Sequence, residues 1–214
     1  MQETIIRNET PADYAEVENL IREAFWDLNM PCCSEHYLAH ILRSHEDLIP
    51  ELDLVAEADG KIVGSIMYTK SKLIGDDGTE KDILTFGPLA VLPQFQRQGY
   101  GKMLLEHSFK IAADMGYDVI VIFGSPANYV CRGFKSCRRF NVCLDNDYFP
   151  TAMLVKELKE GALDGRKYIY RESSAYEFDP AEAEEFDKHF PPKEKNILPC
   201  QEEFYIYSHS SVHE

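Results

Sequence analysis

The sequence lacks a long apolar run. It contains no stretch of about 18 consecutive apolar residues, which is the length that a membrane-spanning helix requires. Its first residues, Met-Gln-Glu-Thr-Ile-Ile-Arg-Asn-Glu, are acidic and strand-like, whereas a secretory signal peptide starts with a positive segment and continues with an apolar one. We therefore expect a soluble, intracellular protein of the cytoplasm.

Basic residues are also scarce. The chain has 22 Lys and Arg against 37 Asp and Glu, and its formal net charge is −15. Proteins that bind nucleic acid or an anionic membrane usually present a basic surface, so neither partner is expected. A cationic or amine-bearing substrate fits the negative charge, although solubility alone would also explain it.

No Cys-x-x-Cys pair is present. The six cysteines stand at positions 32, 33, 131, 137, 143 and 200, and in a reducing compartment they are expected to be free thiols. Cys32 and Cys33 are followed by His36 and His40, but this spacing matches no standard zinc pattern. No metal site is predicted.

The composition that remains is that of a core-forming protein. Of the 214 residues 44% are hydrophobic, which suits one ordinary domain, or one domain with an appendage. To residue 144 the apolar patterns predict a strand, two helices, three strands, a helix, a strand, a short helix and a strand. The strand, helix and strand within residues 82–123 indicate a βαβ crossover.

The pattern weakens beyond residue 145. Residues 151–158 suit a helix or a strand, and Lys167–Arg171 alternates like a strand. Asp179 precedes a short acidic helix that Pro191 ends. The last twenty or so residues are expected to be peripheral.

The stretch from Gly87 to Lys102 organises the chain. An apolar strand, Leu89–Leu92, is stopped by Pro93, and Gly99 and Gly101 then open a helix. The first N–H groups of a helix have no internal partner, and the helix dipole adds positive charge there. Glycines remove the Cβ atoms that would keep a phosphate away. The stretch therefore predicts an anion site.

Two common nucleotide motifs do not fit this stretch. A P-loop requires Ser or Thr after Gly-Lys, but Met103 follows Lys102, and Gln96 occupies the place of the earlier glycine. A dinucleotide fingerprint requires a third small residue where Leu104 stands, and no βαβ unit precedes it. What remains is Gln96-Arg97-Gln98-Gly99-Tyr100-Gly101, directly after a strand that ends in Leu-Pro.

This segment resembles the Gln/Arg-x-x-Gly-x-Gly/Ala signature of the GCN5-related N-acetyltransferase (GNAT) family. The later Gly124-Ser-Pro-Ala-Asn-Tyr129 and Gly133-Phe134 resemble a second motif of that family, and the element order agrees. The resemblance implies an α/β (α+β) fold with a mixed, mostly antiparallel twisted sheet of about seven strands and helices on both faces. Residues 1–145 would form the acetyl-CoA-binding domain. Residues 146–214 resemble the extension of uncharacterised bacterial members, expected to complete the sheet and add a short helix without forming an independent domain.

The resemblance also implies how acetyl-CoA binds. Backbone N–H groups of the loop would hold its pyrophosphate, the Leu89–Val91 strand would pair with its pantetheine arm, and the splayed strands 82–92 and 118–123 would admit that arm. Arg97 and Lys102 would add contacts to phosphate, unless they are only solvated cations. The implied cofactor-binding residues are Leu89, Ala90, Val91, Gln96, Arg97, Gln98, Gly99, Tyr100, Gly101, Lys102 and Asn128; for Asn128 a helix N-cap role is the alternative.

Tyr129 occupies the position of the family's general acid, so the resemblance implies that its phenol protonates the coenzyme sulfur, or else only packs on the pantetheine arm. No general base is identifiable, because Glu57, Glu80 and Asp82 suit solvated strand-edge acids better. The acceptor is expected between the first two helices and the far end of the sheet. Its walls would be residues 26–33 and the loop after Leu144.

Three functions are compatible with these observations. The first is acetyl transfer from acetyl-CoA to a primary amine of a small molecule or peptide, by direct attack. The second is a non-catalytic acetyl-CoA-binding sensor or interaction module, and the third is a nucleotide-binding protein that uses Gly99–Lys102. A homodimer is a common state in the family. The acceptor amine itself cannot be read from the sequence.

Overall fold

A computed structural model describes residues 4–213, and its centre is a mixed β-sheet. Within these residues the sheet has nine strands in the order β1-β2-β3-β4-β5-β8-β6, while β9 pairs with the far end of β3 and with β7. Only β4–β5 and β7–β9 are parallel. The strands are β1 Thr4–Asn8, β2 Leu54–Ala58, β3 Lys61–Gly75, β4 Glu80–Val91, β5 Val119–Phe123, β6 Lys135–Ser136, β7 Val142–Cys143, β8 Met153–Glu157 and β9 Tyr168–Arg171.

Helices cover both faces of this sheet. They are α1 Tyr14–Phe25, α2 Glu35–Leu42, α3 Tyr100–Asp114, α4 Pro126–Tyr129, α5 Pro180–Asp187 and α6 Pro199–Ser208. Because strand side chains alternate between faces, Leu54 and Ile66 pack with Leu104 of α3, whereas the neighbouring Val55 and Met67 pack with α1 and α2. No helix of residues 4–213 is long and apolar enough to cross a membrane.

The predicted fold class is confirmed, with one difference in the strand count. The sheet is mixed and mostly antiparallel, and helices lie on both faces, but it has nine strands in residues 4–213 instead of about seven. The additional strands include β6 and β7, which have two residues each. A two-residue strand is too short to produce an apolar alternation, so sequence patterns do not detect it.

The pairing of β4 with its two neighbours positions the site. On one side Leu89 pairs with Ile66 and Phe86 with Tyr68, so Gly87 and Pro88 both lie opposite Met67 and form a β-bulge. On the other side the register between β4 and β5, in the described chain, consists of the single pair Leu84–Ile120. The two strands therefore separate towards their carboxyl ends, and the predicted splayed pair of strands is present.

The chain after residue 145 belongs to the same sheet. β8 pairs antiparallel with β5, and β9 pairs antiparallel with β3. The predicted helix after Asp179 is α5, whose N-cap is the Asp179 side chain. The expectation of one added helix is incomplete, because α6 also lies in this segment. The division at residue 145 stays a prediction.

α5 is joined to α1 and α2 through a buried polar cluster. Arg22, which is 1% exposed, donates from Nε to Asp187 Oδ1 at 2.6 Å. The fully buried His36 places Nε2 at 3.1 Å from the same oxygen and Nδ1 at 3.5 Å from Cys33 Sγ. Burial lowers the pKa of His36, and the charge of Arg22 lowers it further, against the opposing effects of Asp187 and Glu18.

The first prediction concerns the stability of this cluster at acidic pH. A histidine whose pKa is lowered in the folded state contributes stability that is present above its unfolded pKa of about 6.5 and is lost as the pH falls below it. Wild-type should therefore lose more free energy of unfolding between pH 7 and pH 5 than His36→Gln, with a difference of at most about 1.4 kcal/mol per pH unit. Urea titrations at several pH values measure it. The exposed His107→Gln should follow wild-type, and equal slopes for wild-type and His36→Gln would refute the assignment.

Candidate active site

The loop between β4 and α3 is built to expose its backbone. Arg97 has φ +62° and Gly99 has φ +98°, so the chain makes two left-handed steps before α3 starts at Tyr100. Left-handed residues among right-handed ones turn successive N–H groups towards a common concave surface. The predicted polar side chains serve the loop itself: Gln96 Nε2 donates to Val91 O at 3.1 Å, and Gln98 Nε2 donates to Gln94 O at 2.9 Å.

Gly101 is a glycine that the protein's own packing does not require. Its φ is not left-handed, and an added Cβ would meet only Val91 Cγ2 at an ordinary 3.7 Å. Inside a helix glycine is less favourable than alanine by about 1 kcal/mol. The missing Cβ leaves the backbone open to an approaching anion at the positive end of a 15-residue helix. These residues fit a diphosphate.

The two predicted phosphate cations are both at the surface. Arg97 is exposed, and Lys102 Nζ lies 3.6 Å from Glu106 Oε1, with both side chains about half exposed. An exposed ion pair of this kind contributes little and is easily exchanged for another partner. Both cations are therefore available to an anion at the loop.

The predicted strand residues line the opening between β4 and β5. Leu89 and Val91 are half-buried against the α3 side of the core, and Ala90 is buried on the opposite side. On the β3 side all three residues are paired, with Ile66, Ser65 and Gly64. On the other side β5 has already separated from β4. The second edge of this strand is therefore available to an extended ligand.

Tyr129 lies across this opening, in α4 directly after β5. Its ring packs at 5.7 Å from the ring of Phe86 and at 5.8 Å from that of Phe134. An added Cβ at Gly124 would come within 2.6 Å of the ring, so this glycine makes room for it. Burial, and to a smaller extent Tyr207 of α6, raises the pKa of Tyr129 to about 12. The phenol is protonated at neutral pH, and no group in residues 4–213 hydrogen-bonds to its hydroxyl.

Asn128 is exposed one residue before Tyr129. The N-cap alternative for Asn128 is wrong, because α4 begins at Pro126 and its N-cap is Ser125. The side chain of Asn128 is therefore turned to solvent beside the opening, where it can contact a ligand.

The strand acids considered for the general base are not near the opening. Glu57 accepts from Arg7 Nε at 3.0 Å, and Glu80 accepts from Lys72 Nζ at 2.6 Å. Asp82 is exposed near the first residues of β4, at the end opposite the bulge. The first two acids are therefore paired with cations of their own, although Glu57 is half-buried on β2, which lies between β1 and β3, and not at an edge of the sheet as expected.

The sheet face opposite α3 carries a polar cluster at the bulge that sequence patterns did not reveal. The Tyr176 hydroxyl accepts from Thr69 Oγ1 and donates to Gly87 O, both at 3.3 Å. Beside it Ser71 Oγ donates to Thr85 Oγ1 at 2.8 Å, and Thr85 Oγ1 lies 2.5 Å from the Tyr170 hydroxyl. A strand that is buried on both faces is usually apolar throughout. The Thr and Ser residues within β3 and β4 are therefore the feature of the sequence that could have indicated this polar cluster.

The C-terminal segment connects the two predicted walls of the acceptor site. At the first wall Trp26 Nε1 donates to Glu194 O at 2.9 Å, and Asp27 accepts from the backbone and side chain of Asn196 at 3.0 Å. At the second, Thr151 N donates to Ser210 O at 2.9 Å and Val212 N donates to Phe149 O at 2.8 Å. α6 lies between these anchors, with Tyr207 near Tyr129. None of residues 195–213 is buried, so the last twenty or so residues lie at the surface, while their backbone is anchored at both walls.

The described residues contain no cluster of three or more His, Cys, Asp or Glu that could hold a metal ion. Of the residues considered for one, Cys33 and His36 belong to the buried cluster with Asp187, whereas His40 Nδ1 contacts Glu18 Oε1 at 2.9 Å.

Comparisons with known proteins point to one family. The model described as "Acetyltransferase (GNAT) family" matches residues 22–134, which is more than half of the chain. The uncharacterised N-acetyltransferase YjhQ of Escherichia coli K12 is 33% identical over 97 residues, which cover 45% of this chain and 52% of YjhQ, about half its length. The uncharacterised N-acetyltransferase YhbS of the same organism is 28% identical over 162 residues, covering 75% of this chain and 91% of YhbS.

Solved structures show the same fold. The crystal structure of E. coli YhbS in complex with CoA has a TM-score of 0.71 at 24% identity and covers 82% of this chain and 93% of YhbS. A GNAT family acetyltransferase from Brucella melitensis in complex with acetyl-CoA has a TM-score of 0.65 at 25% identity, covering 83% of this chain and all of that one. Residues 4–213 therefore have the same fold as these two proteins, which were crystallised with CoA and with acetyl-CoA.

Proposed function

Since the chain belongs to the acetyltransferase (GNAT) family, we propose that it transfers the acetyl group of acetyl-CoA to a primary amine by direct attack. One observation carries the proposal: the glycine loop at the start of α3 adjoins the opening between β4 and β5, and Tyr129 borders the same opening. Along this opening the arrangement supplies first an anion site, then an extended strand edge and then a proton donor.

The donor half of the site binds the coenzyme. The N–H groups from Gln96 to Lys102 hold the pyrophosphate, and Arg97 and Lys102 add charge-assisted contacts to it. Leu89, Ala90 and Val91 offer backbone groups to the pantetheine arm, and Asn128 contacts the arm from the other side of the opening. When bound, the coenzyme supplies an activated acetyl thioester.

Transfer forms a C–N bond and breaks a C–S bond. Backbone N–H groups of β4 near the bulge donate to the oxygen of the thioester carbonyl. They polarise this carbonyl and stabilise the negative charge that develops on its oxygen during the attack. Tyr129 donates its proton to the departing sulfur and recovers one from solvent. The amine loses a proton during the attack, so the site must also accept one.

The acceptor is a primary amine of a small molecule or a peptide. The formal net charge of −15 supports an acceptor that is cationic in solution. A cytoplasmic location is in keeping with the six cysteines, all of which are free thiols. We propose a homodimer on the family resemblance alone.

Acetyl-CoA should stabilise the protein, whereas ATP and NAD should not. A ligand that binds only the folded state at about 100 times its Kd adds about 2.7 kcal/mol, which for a chain of this size raises Tm by about 5–10 °C. A thermal-shift series with the three compounds measures this. A shift with ATP or NAD equal to that with acetyl-CoA would favour the nucleotide-binding alternative, and no shift with acetyl-CoA would overturn the proposal.

Turnover separates the enzyme from a sensor. Release of coenzyme A thiol is measured with spermidine, kanamycin and a peptide that has a free N-terminus and one lysine. We expect release with at least one of these amines above the rate without amine. Binding of acetyl-CoA without release for any of them would favour the non-catalytic module.

A further inference from the structure

Glu172 differs from Glu57 and Glu80 in its surroundings. It follows β9 directly, and no Lys or Arg of residues 4–213 lies within ion-pair distance of its carboxylate. Within the described part of the chain its one hydrogen bond is with the Tyr170 hydroxyl, which donates to Oε1 at 3.5 Å. Glu57 and Glu80, by contrast, are held by cations. Glu172 is therefore an exposed carboxylate that is oriented by the protein but not neutralised by it.

A chain of hydroxyl groups orients this carboxylate. Ser71 donates to Thr85, and Tyr170 donates to Glu172, so the short contact between Thr85 and Tyr170 has Thr85 as its donor. All three hydroxyl side chains are buried. Buried, satisfied hydroxyl chains are rigid, and this one leaves Glu172 Oε2 without a partner in the described chain.

The same chain connects Glu172 to Thr85 of β4, close to the bulge. Thr85 lies on β4 two residues before Gly87, on the same face of the sheet, and Tyr176 on that face donates to Gly87 O. The Tyr170 ring also packs at 6.0 Å from that of Phe123, the last residue of β5, which is 43% exposed. Glu172 is thus connected to both strands that border the opening.

Glu172 and Tyr129 lie on opposite faces of the sheet. Tyr129 packs with Phe86 and Phe134 on the α3 side, whereas Thr85 and Tyr170 belong to the other side. In the tetrahedral intermediate the amine nitrogen and the sulfur are separate substituents of one carbon, so the two proton transfers occur at different positions, and a base and an acid on opposite faces can serve one each.

We propose that Glu172 is the general base, and that its carboxylate takes the proton which the acceptor amine loses as the C–N bond forms. The proposal rests on the acetyl transfer proposed above. Tyr129 protonates the sulfur as the C–S bond breaks, and Glu172 then releases its proton to solvent, so that no other reactant is needed.

The charges around Glu172 suit this role. The residue as a whole is exposed, but the surrounding groups desolvate its carboxylate, and this desolvation, with a contribution from Glu177, raises the pKa of Glu172 to about 7, against the opposing hydrogen bond from Tyr170. The other titratable groups at this position are Tyr176, and His45 and Asp47 on the connection after α2, which contact Ser174 and Ser173. A base is most effective when its pKa is near the working pH.

The test is the pH dependence of kcat/KM for Glu172→Gln and wild-type, with whichever of spermidine, kanamycin or the peptide reacts fastest. In wild-type we expect kcat/KM to rise with pH through about pH 7, before any further rise from ionisation of the amine. Glu172→Gln should lower kcat/KM about 100-fold at pH 8 and remove the rise near pH 7, with the Kd for acetyl-CoA unchanged. Glutamine keeps an acceptor oxygen for Tyr170, so a merely positioning role would leave the profile intact.

Glu177→Gln is the matched control. It removes a neighbouring negative charge without touching the hydroxyl chain, so the rise should persist with its midpoint at lower pH. If Glu172→Gln keeps the wild-type rate and profile, the assignment of the base is wrong while acetyl transfer stands. If wild-type releases no thiol with any of the three amines although acetyl-CoA raises its Tm, the proposed function fails instead.

Discussion

Tyr129→Phe is expected to lower kcat for acetyl transfer by about 100-fold or more while changing the Kd for acetyl-CoA by less than about threefold. The substitution removes only the hydroxyl, and the contacts of the ring with Phe86 and Phe134 remain. Loss of a general acid affects the transition state, in which charge develops on the departing sulfur, much more than the bound ground state. Thiol release and a direct binding measurement give the two quantities.

The pH profile adds a second readout for Tyr129. Because burial raises the pKa of the phenol to about 12, its proton is retained throughout the neutral and mildly alkaline range. Wild-type should therefore show no loss of kcat from ionisation of Tyr129 below about pH 10. Tyr117→Phe is the control, since Tyr117 is also half-buried against the α3 side of the core but precedes β5 instead of following it. Unchanged kcat in Tyr129→Phe would refute the acid role.

Gly101→Ala is expected to weaken acetyl-CoA binding by about 10- to 100-fold without destabilising the protein. The added Cβ meets only Val91 Cγ2, at 3.7 Å, and alanine is the better helix residue, so the free energy of unfolding should rise by up to about 1 kcal/mol. The same methyl group should keep the pyrophosphate away from the backbone N–H groups of the loop. Since a hydrogen bond to a charged group contributes about 1.5–3 kcal/mol, the loss of one such bond accounts for the weaker binding. Isothermal titration calorimetry and urea unfolding measure the two effects.

The reverse exchange on the same helix is the control for this prediction. Ala113→Gly lies in the last turn of α3, far from its positive end, and is exposed. It should lower the free energy of unfolding by up to about 1 kcal/mol and leave the Kd for acetyl-CoA unchanged. If Gly101→Ala binds acetyl-CoA as tightly as wild-type does, the diphosphate is not held at this turn.

The donor half of the site that we propose could be inferred from the sequence because its residues are local in the chain. A strand, a proline stop, a left-handed glycine and a helix start occur within Leu89–Lys102, and each is encoded by residues next to it. The conformation of the loop between β4 and α3 could not be predicted in the same way. Gln96 and Gln98 are expected to contribute to coenzyme binding, but their side chains also donate hydrogen bonds to the backbone of the same loop. Side-chain hydrogen bonds of this kind depend on distances that a motif does not contain.

The acceptor half required contacts between distant segments. Tyr170 and Glu172 reach Thr85 because β9 pairs with β3 about a hundred residues earlier in the chain, and nothing near residue 172 indicates that partner. The same applies to α6, which has no buried side chain: Gln201 bonds it to Asp27, and the residues that follow it bond to the segment before β8. Pairing and docking at this separation are selected by the whole core, not by the local sequence.

Gly101 shows most clearly how the two sources of information differ. The amino-acid order alone predicted an anion-binding turn and indicated the family of the chain, because backbone N–H groups at a helix start and a missing Cβ are local properties. The chemistry next to that turn depends on folding: the separation of β4 from β5, the approach of Tyr129 on one face and of Glu172 on the other. The fold brings these groups to neighbouring strands because a sheet pairs segments from distant parts of the chain.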